Sequence, residues 1–290
     1  MMAKRQLASR AAAAVLLAVS IPSLAAAPAP KKPSAKIVFL WSKGHHPNEP
    51  SCRLFKHCLE HSPNVKGIRA EVHEQWPADE AALNGAGAIV IYSEGTNKKG
   101  LPHPVLTAER MKRLGKLMDK GTGLVLLHYA LYATREVEAP NVLRWAGAYY
   151  DFQGYGSKHF VSRKPLVCTP ASANHPISRG WKAFTLKANE IYHNLRFTER
   201  PTTPILTARM PGPKGKPPAR HVIAWALERP DGGRGFGFGG GHFYDMWLND
   251  DCRKMVLNAI AWAAGIDVPA GGVQSRVPDE LKAPAKAKAH

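Results

Sequence analysis

Apolar residues along this chain fall into short continuous runs, each ending in polar or glycine-rich segments. The run Gly123-Leu124-Val125-Leu126-Leu127, bounded by Gly121 and followed by His128, reads as a strand buried on both faces. Residues 36–41 and 88–92 have the same character, and 68–73 alternates as a half-buried strand. Between them the spacing changes to helical. A helix is predicted over 51–60, and another follows Thr107, with Met111, Leu114, Leu117 and Met118 on one face and Gly121 beyond its end. This alternation predicts an α/β fold with a doubly wound, mostly parallel sheet in three layers.

The second half is more mixed. A short helix is predicted over 141–148, and strands over 166–169, 203–208, 221–227 and 235–239, with a Pro/Gly/Lys loop before 221. A last helix starts at Asn249, places Met255, Val256, Ile260 and Trp262 in the core, and ends at Gly265. Gly235, Gly237 and Gly240 fit a GxGxxG spacing but lie within a strand, so a dinucleotide fingerprint is rejected. The expected organisation is one domain over 36–268, a Pro/Ala/Lys linker over 28–35 and a basic, weakly ordered tail over 269–290.

Residues 1–27 change the picture of where the protein works. Lys4, Arg5 and Arg10 precede an apolar run over 11–19, and Ala25-Ala26-Ala27 offers a small-residue cleavage site. That layout predicts a signal peptide and a periplasmic or secreted protein with no stable membrane insertion after cleavage. The four cysteines form no CxxC pair, and on one helix Cys52 and Cys58 would stand about 9 Å apart in rise. Four buried thiols are expected. The net charge is +18, and the leader carries three of these positive charges. No nucleic-acid motif accompanies the charge, so no nucleic-acid partner is expected; a solvated basic surface is.

The candidate chemistry lies at strand ends, where open α/β sheets place their ligands. His45 and His46 follow the first strand, Glu94 the third and His128 the fourth. His242 and Asp245 follow the last strand, and Glu190 and His193 form Glu-x-x-His. His159 lies in a segment read as irregular. Three imidazoles, or two with a carboxylate, match a catalytic site for zinc or a similar divalent metal. His45, His193 and His242 are the candidate metal ligands, with His159 as a substitute. His128 is the candidate general base or acid, its imidazole being suited to proton transfer near neutrality. Glu94, Glu190 and Asp245 would orient imidazoles or accept sugar hydroxyls. Trp41, Tyr129, His159, Tyr192 and Trp247 are the candidate saccharide contacts. His57, His61, His73, His103 and His290 read as surface, and His175, before Pro176, as a turn.

The ordered set His45/His46, Gly123 to His128, His175-Pro176-Ile177, Glu190-Ile191-Tyr192, 222–227, Gly241-His242 and Asn258-Ala259-Ile260-x-Trp262 resembles the trehalose-utilisation ThuA-like family over about 36–265. The resemblance implies a flavodoxin-like sheet similar to class I glutamine amidotransferases, and a role in disaccharide breakdown through keto-sugar intermediates. The nucleophilic cysteine of the amidotransferase elbow is replaced at His128 or Tyr129, so that chemistry does not carry over. Asn189 stands where relatives carry Asp. The expected function is metal-assisted acid–base chemistry, hydrolase or lyase, on a glycoside or keto sugar. The alternatives are a non-catalytic saccharide-binding module in the same cleft and an adaptor for anionic polysaccharide.

Overall fold

The computed structural model describes residues 35–96, 101–162, 164–187, 189–211 and 217–283. The expected leader and nearly all of the linker lie outside the described residues. In chain order the elements are β1 (Lys36–Trp41), α1 (Asn48–Glu60), β2 (Arg69–Glu74), β3 (Ala88–Tyr92), α2 (Ala108–Met118) and β4 (Gly123–Leu127). Then come α3 (Ala139–Ala146), β5 (Ala148–Tyr149), β6 (Lys158–Ser162), β7 (Leu166–Pro170), β8 (Phe184–Leu186) and β9 (Asn189–His193). The chain closes with β10 (Arg196–Phe197), β11 (Thr203–Met210), β12 (Ala219–Glu228), β13 (Arg234–Phe238) and α4 (Asp250–Ala263).

Nine strands form one sheet in the order β2-β1-β3-β4-β13-β12-β11-β7-β8. The first five of these neighbours run parallel, and the rest pair antiparallel. Helices α1 and α4 pack on one face, against Phe39, Val90 and Phe236. Helices α2 and α3 cover the other, against Leu40, Ile91 and Leu126. This is the expected three-layer α/β arrangement. Among the described residues, no helix is long and apolar enough to cross a membrane.

Local signals account for most boundaries. The Thr107 side chain accepts from Arg110 N, and Asn249 Oδ1 accepts from Cys252 N, so both predicted N-caps form. Helix α1 starts three residues earlier than expected because Pro50 falls in its first turn, where no intrahelical N–H is needed. Helix α3 also starts early, with a proline in its first turn, and ends at Gly147 in the left-handed region. The four cysteines are buried free thiols.

Two expectations are corrected here. His103 is buried, not on the surface: its Nδ1 accepts from Val105 N and Leu106 N, and its Nε2 donates to Ala130 O. The fold also does not end at 268. Val273 is fully buried, its N–H donates to Asn258 Oδ1 at 2.7 Å, and the Tyr244 hydroxyl reaches Leu281 O.

Two small sheets, β6–β9 and β5–β10, lie outside the main one. Strand β9 passes across the carboxyl end of β13, where Tyr192 N donates to Gly239 O at 3.0 Å. It thereby brings its residues over the parallel strand ends.

Candidate functional site

His128 leaves β4 at φ +53° and opens a single 3-10 turn over His128–Leu131. A left-handed backbone is rare for a residue with a Cβ, and this turn aims the imidazole across the sheet edge. The His128 Nδ1–H donates to Gly239 O at 3.2 Å, so Nε2 carries the lone pair; it meets the Tyr192 hydroxyl at 3.2 Å. Burial and the neighbouring His46 and His242 hold this imidazole well below its usual pKa, so it is neutral at physiological pH.

The other groups arrive from adjacent strand ends. His46 lies in the loop after β1, its ring centroid 4.7 Å from His128 and 4.8 Å from His242. Its Nδ1 donates to Glu94 Oε1 at 2.7 Å. Glu94 in turn accepts from Asn48 Nδ2 at 3.2 Å, and Asn48 also bonds Ser42 O, so the loops after β1 and β3 are tied together. Burial works to raise the Glu94 carboxyl, but the hydrogen bond and charge of His46 outweigh it and hold the group ionised. His242 follows Gly241, whose φ of +127° and closeness to the His128 Cβ leave no room for a side chain. Gly241 is fixed by the Tyr92 hydroxyl on its carbonyl.

His242 Nδ1 stands 2.7 Å from Glu190 Oε2 and pairs with that carboxylate. Glu190 is ionised because the contact with His242 overcomes the opposing effect of burial. His46, His128, Glu190 and His242 thus offer ligand atoms that all lie within 4.8 Å of one another. Three imidazoles and a carboxylate gathered in this way are a donor set that fits a divalent cation.

Tyrosines wall one side of this group. The Tyr132 and Tyr150 rings stack at 3.9 Å, Tyr192 lies 5.2 and 5.1 Å from them, and Tyr129 stands 5.3 Å from His46. Burial first, then nearby charges that include Glu190, raise the pKa of the Tyr129, Tyr150 and Tyr192 hydroxyls, so they are protonated donors.

The structure brings together His128, His242, Glu94, Glu190, Tyr129 and Tyr192 of the sequence candidates, and it sets others apart. His45 is exposed while the next residue, His46, turns inward, so His46 replaces it. His193 is on the wrong face of β9. Strand side chains alternate, so Glu190 and Tyr192 face the group whereas His193 packs against His221 at 4.7 Å. His159 lies on β6 opposite Tyr192, exposed at the rim and close enough for its charge to act on Glu190, but it is not one of the four. Asp245 is exposed and lines a separate depression with Thr185 and Asn189. Trp247 is fully buried, donates from Nε1 to Ser51 Oγ, and packs on Phe55 and Tyr92; Trp41 belongs to the same core. Both tryptophans are packing residues of the core. Asn48 was not foreseen, because nothing in its sequence context marks it as a partner of Glu94. Tyr132 and Tyr150 could have been picked from their nearness to strand ends.

The sequence profile of the trehalose-utilisation (ThuA) family matches residues 37–263. The chain belongs to the ThuA family. Among solved structures, a ThuA-like protein from Parabacteroides merdae superposes with a TM-score of 0.54 at 17% identity, covering 86% of this chain and 94% of that one. A second, from Bacteroides uniformis, gives 0.52 at 16% identity, covering 84% and 95%. The carbohydrate deacetylase Agd3 matches at a TM-score of 0.50 and 16% identity over 80% of this chain but 32% of its own length. At these identities the likeness is one of fold. The comparison with curated proteins returned no match.

Proposed function

We propose that this ThuA-family protein is an exported, divalent-metal-dependent enzyme acting on a glycoside or modified sugar. The observation that carries this reading is the convergence of ligand atoms from His46, His128, Glu190 and His242 within 4.8 Å of one another. His46, His242 and Glu190 would hold the ion. When bound, such an ion polarises a substrate oxygen or acidifies a water.

The chain's own residues supply the rest. Glu94 orients His46 through Nδ1 and strengthens it as a ligand. His128 is neutral, its tautomer fixed by Gly239, and it presents Nε2 to take a proton from a hydroxyl or water. The tyrosine wall offers flat apolar faces and hydroxyl donors, a surface that suits a pyranose ring. Chemistry of the hydrolase or lyase type follows from a base and a Lewis acid on one substrate. The basic n-region, apolar run and Ala25-Ala26-Ala27 support export.

The test is elemental analysis of the purified protein, with turnover assays on disaccharides and their keto derivatives. The full chain is expected to hold a divalent ion and to lose both ion and turnover in His242→Ala. A protein free of metal after supplementation, with His242→Ala unchanged in every assay, would sink the proposal. Saccharide binding without product at full metal occupancy would make it a binding module instead.

A further inference from the structure

The two faces of the main sheet are covered unequally. The buried apolar residues of β7, β8 and β11, among them Cys168, Phe184, Leu206 and Met210, all belong to the core under α1 and α4. None belongs to the core under α2 and α3, so among the described residues the opposite face of these strands has no apolar layer packed on it. Val167 stands opposite Thr185 in the β7–β8 pair, and Arg209 opposite Arg220 in the β11–β12 pair. With Ala208 opposite Cys168, alternation sets these four side chains in one row across the bare face. Thr169, Thr207 and Val222 form the next row. Val167 is 58% exposed, and Thr185, Arg209 and Arg220 are exposed as well.

Arg209 and Arg220 set the charge of this face. Like charges directly opposite on neighbouring strands, with Cβ atoms about 5 Å apart, destabilise the pairing. Among the described residues no carboxylate offsets this pair. Arg220 donates to the Thr207 hydroxyl at 2.9 Å and Arg209 to the Pro218 carbonyl at 3.0 Å. A guanidinium carries five N–H donors, so most of them stay available. The surrounding sequence is as one-sided. Residues 161–189 and 201–227 contain no Asp or Glu, whereas Lys164, Lys182 and Lys187 are exposed there.

We propose that the bare face of β12, β11, β7 and β8 binds an acidic polysaccharide whose carboxylates meet Arg209 and Arg220. The planar guanidinium fork matches a carboxylate with two parallel hydrogen bonds. The Thr169 and Thr185 hydroxyls are able to donate to or accept from ring hydroxyls, and Val167 adds one apolar contact. Other partners fit this face less well. Single-stranded nucleic acid stacks its bases on aromatic side chains, and the exposed aromatics Tyr155 and Phe243 lie outside these strands. An anionic membrane takes up an apolar face, and this row offers one valine. A second copy of the chain would set arginine against arginine. The surface lies on a sheet face rather than at the strand ends, and its role does not depend on the reading of the histidine group there. It holds the protein on an acidic polymer.

Equilibrium binding of the purified full chain to polygalacturonate tests this, with single-stranded DNA and phosphatidylglycerol vesicles as competing polyanions. The wild type should bind polygalacturonate, more weakly as salt rises. Arg209→Gln/Arg220→Gln should lower the affinity about tenfold. Val167→Asp, which adds a carboxylate to the row and removes no arginine, should lower it too. Lys112→Gln/Lys116→Gln removes the same charge from exposed positions of α2 and should change the affinity less than about twofold. His46→Ala/His242→Ala should bind as the wild type does, whatever the strand-end group proves to do. Four results overturn the proposal: no binding of polygalacturonate at low salt, affinity kept in Arg209→Gln/Arg220→Gln, equal weakening by the arginine and lysine pairs, or DNA or vesicles bound as tightly as polygalacturonate.

Discussion

His128 and His103 show how two buried histidines can serve opposite ends. His128 turns its Nε2 lone pair to the Tyr192 hydroxyl at the strand-end group, whereas His103 spends both nitrogens on backbone groups. Burial lowers the pKa of His103 from 6.5 to about 4. Above pH 6.5 it is neutral in both folded and unfolded chains and makes no contribution to pH dependence. Between about pH 6.5 and 4 the unfolded chain binds a proton that the folded one refuses, so stability falls as pH falls. The slope from this residue is about 1.4 kcal/mol per pH unit. Urea unfolding of the wild type and His103→Asn at pH 7 and pH 5 should show the gap between them narrowing at the lower pH. A gap that is independent of pH would refute the assignment. At this scale the sequence marked the residue types correctly and the directions poorly. His46 and His45 are chemically identical neighbours, and only the loop's path decides which one turns inward.

At the level of elements, β9 and β13 decide the site. Glu190-Ile191-Tyr192-His193 holds the residues of a plausible ligand motif, but in a strand the first and fourth of these face opposite ways. The glycine-spaced strand was legible as a strand, and the structure explains its spacing. The Trp225 ring lies over Gly237, where an added Cβ would stand 2.1 Å from it, and Trp225 is itself fully buried and bonded to Ala146 O. Gly239 gives the same room to the backbone of β9, at 2.5 Å from Tyr192 O. Gly237→Val is therefore expected to cost about 3 kcal/mol, the upper part of the range for overpacking. Chemical denaturation monitored by tryptophan fluorescence checks this, and a midpoint within error of wild type would contradict it.

Across the whole molecule, a parallel half-sheet collects strand ends, and an antiparallel half extends it with β12, β11, β7 and β8. The C-terminal segment then closes over α1 and α4. Removing residues 269–290 exposes Val273 contacts and leaves Asn258 Oδ1 without its donor. Together these should cost roughly 2–4 kcal/mol. The truncated protein should melt measurably below the full chain in a thermal scan; an unchanged transition would show that the segment contributes nothing. The apolar runs, caps and glycines determined the α/β class, the order of the main strands and helices, and the burial of the cysteines. These are local properties, carried by periodicity and backbone preference within a few residues. The tertiary structure alone decided that β9 crosses the end of β13, that His46 and Glu190 join His128 and His242, and that the tryptophans are core. Those outcomes depend on contacts between segments far apart in sequence, and on which way each side chain points once they meet.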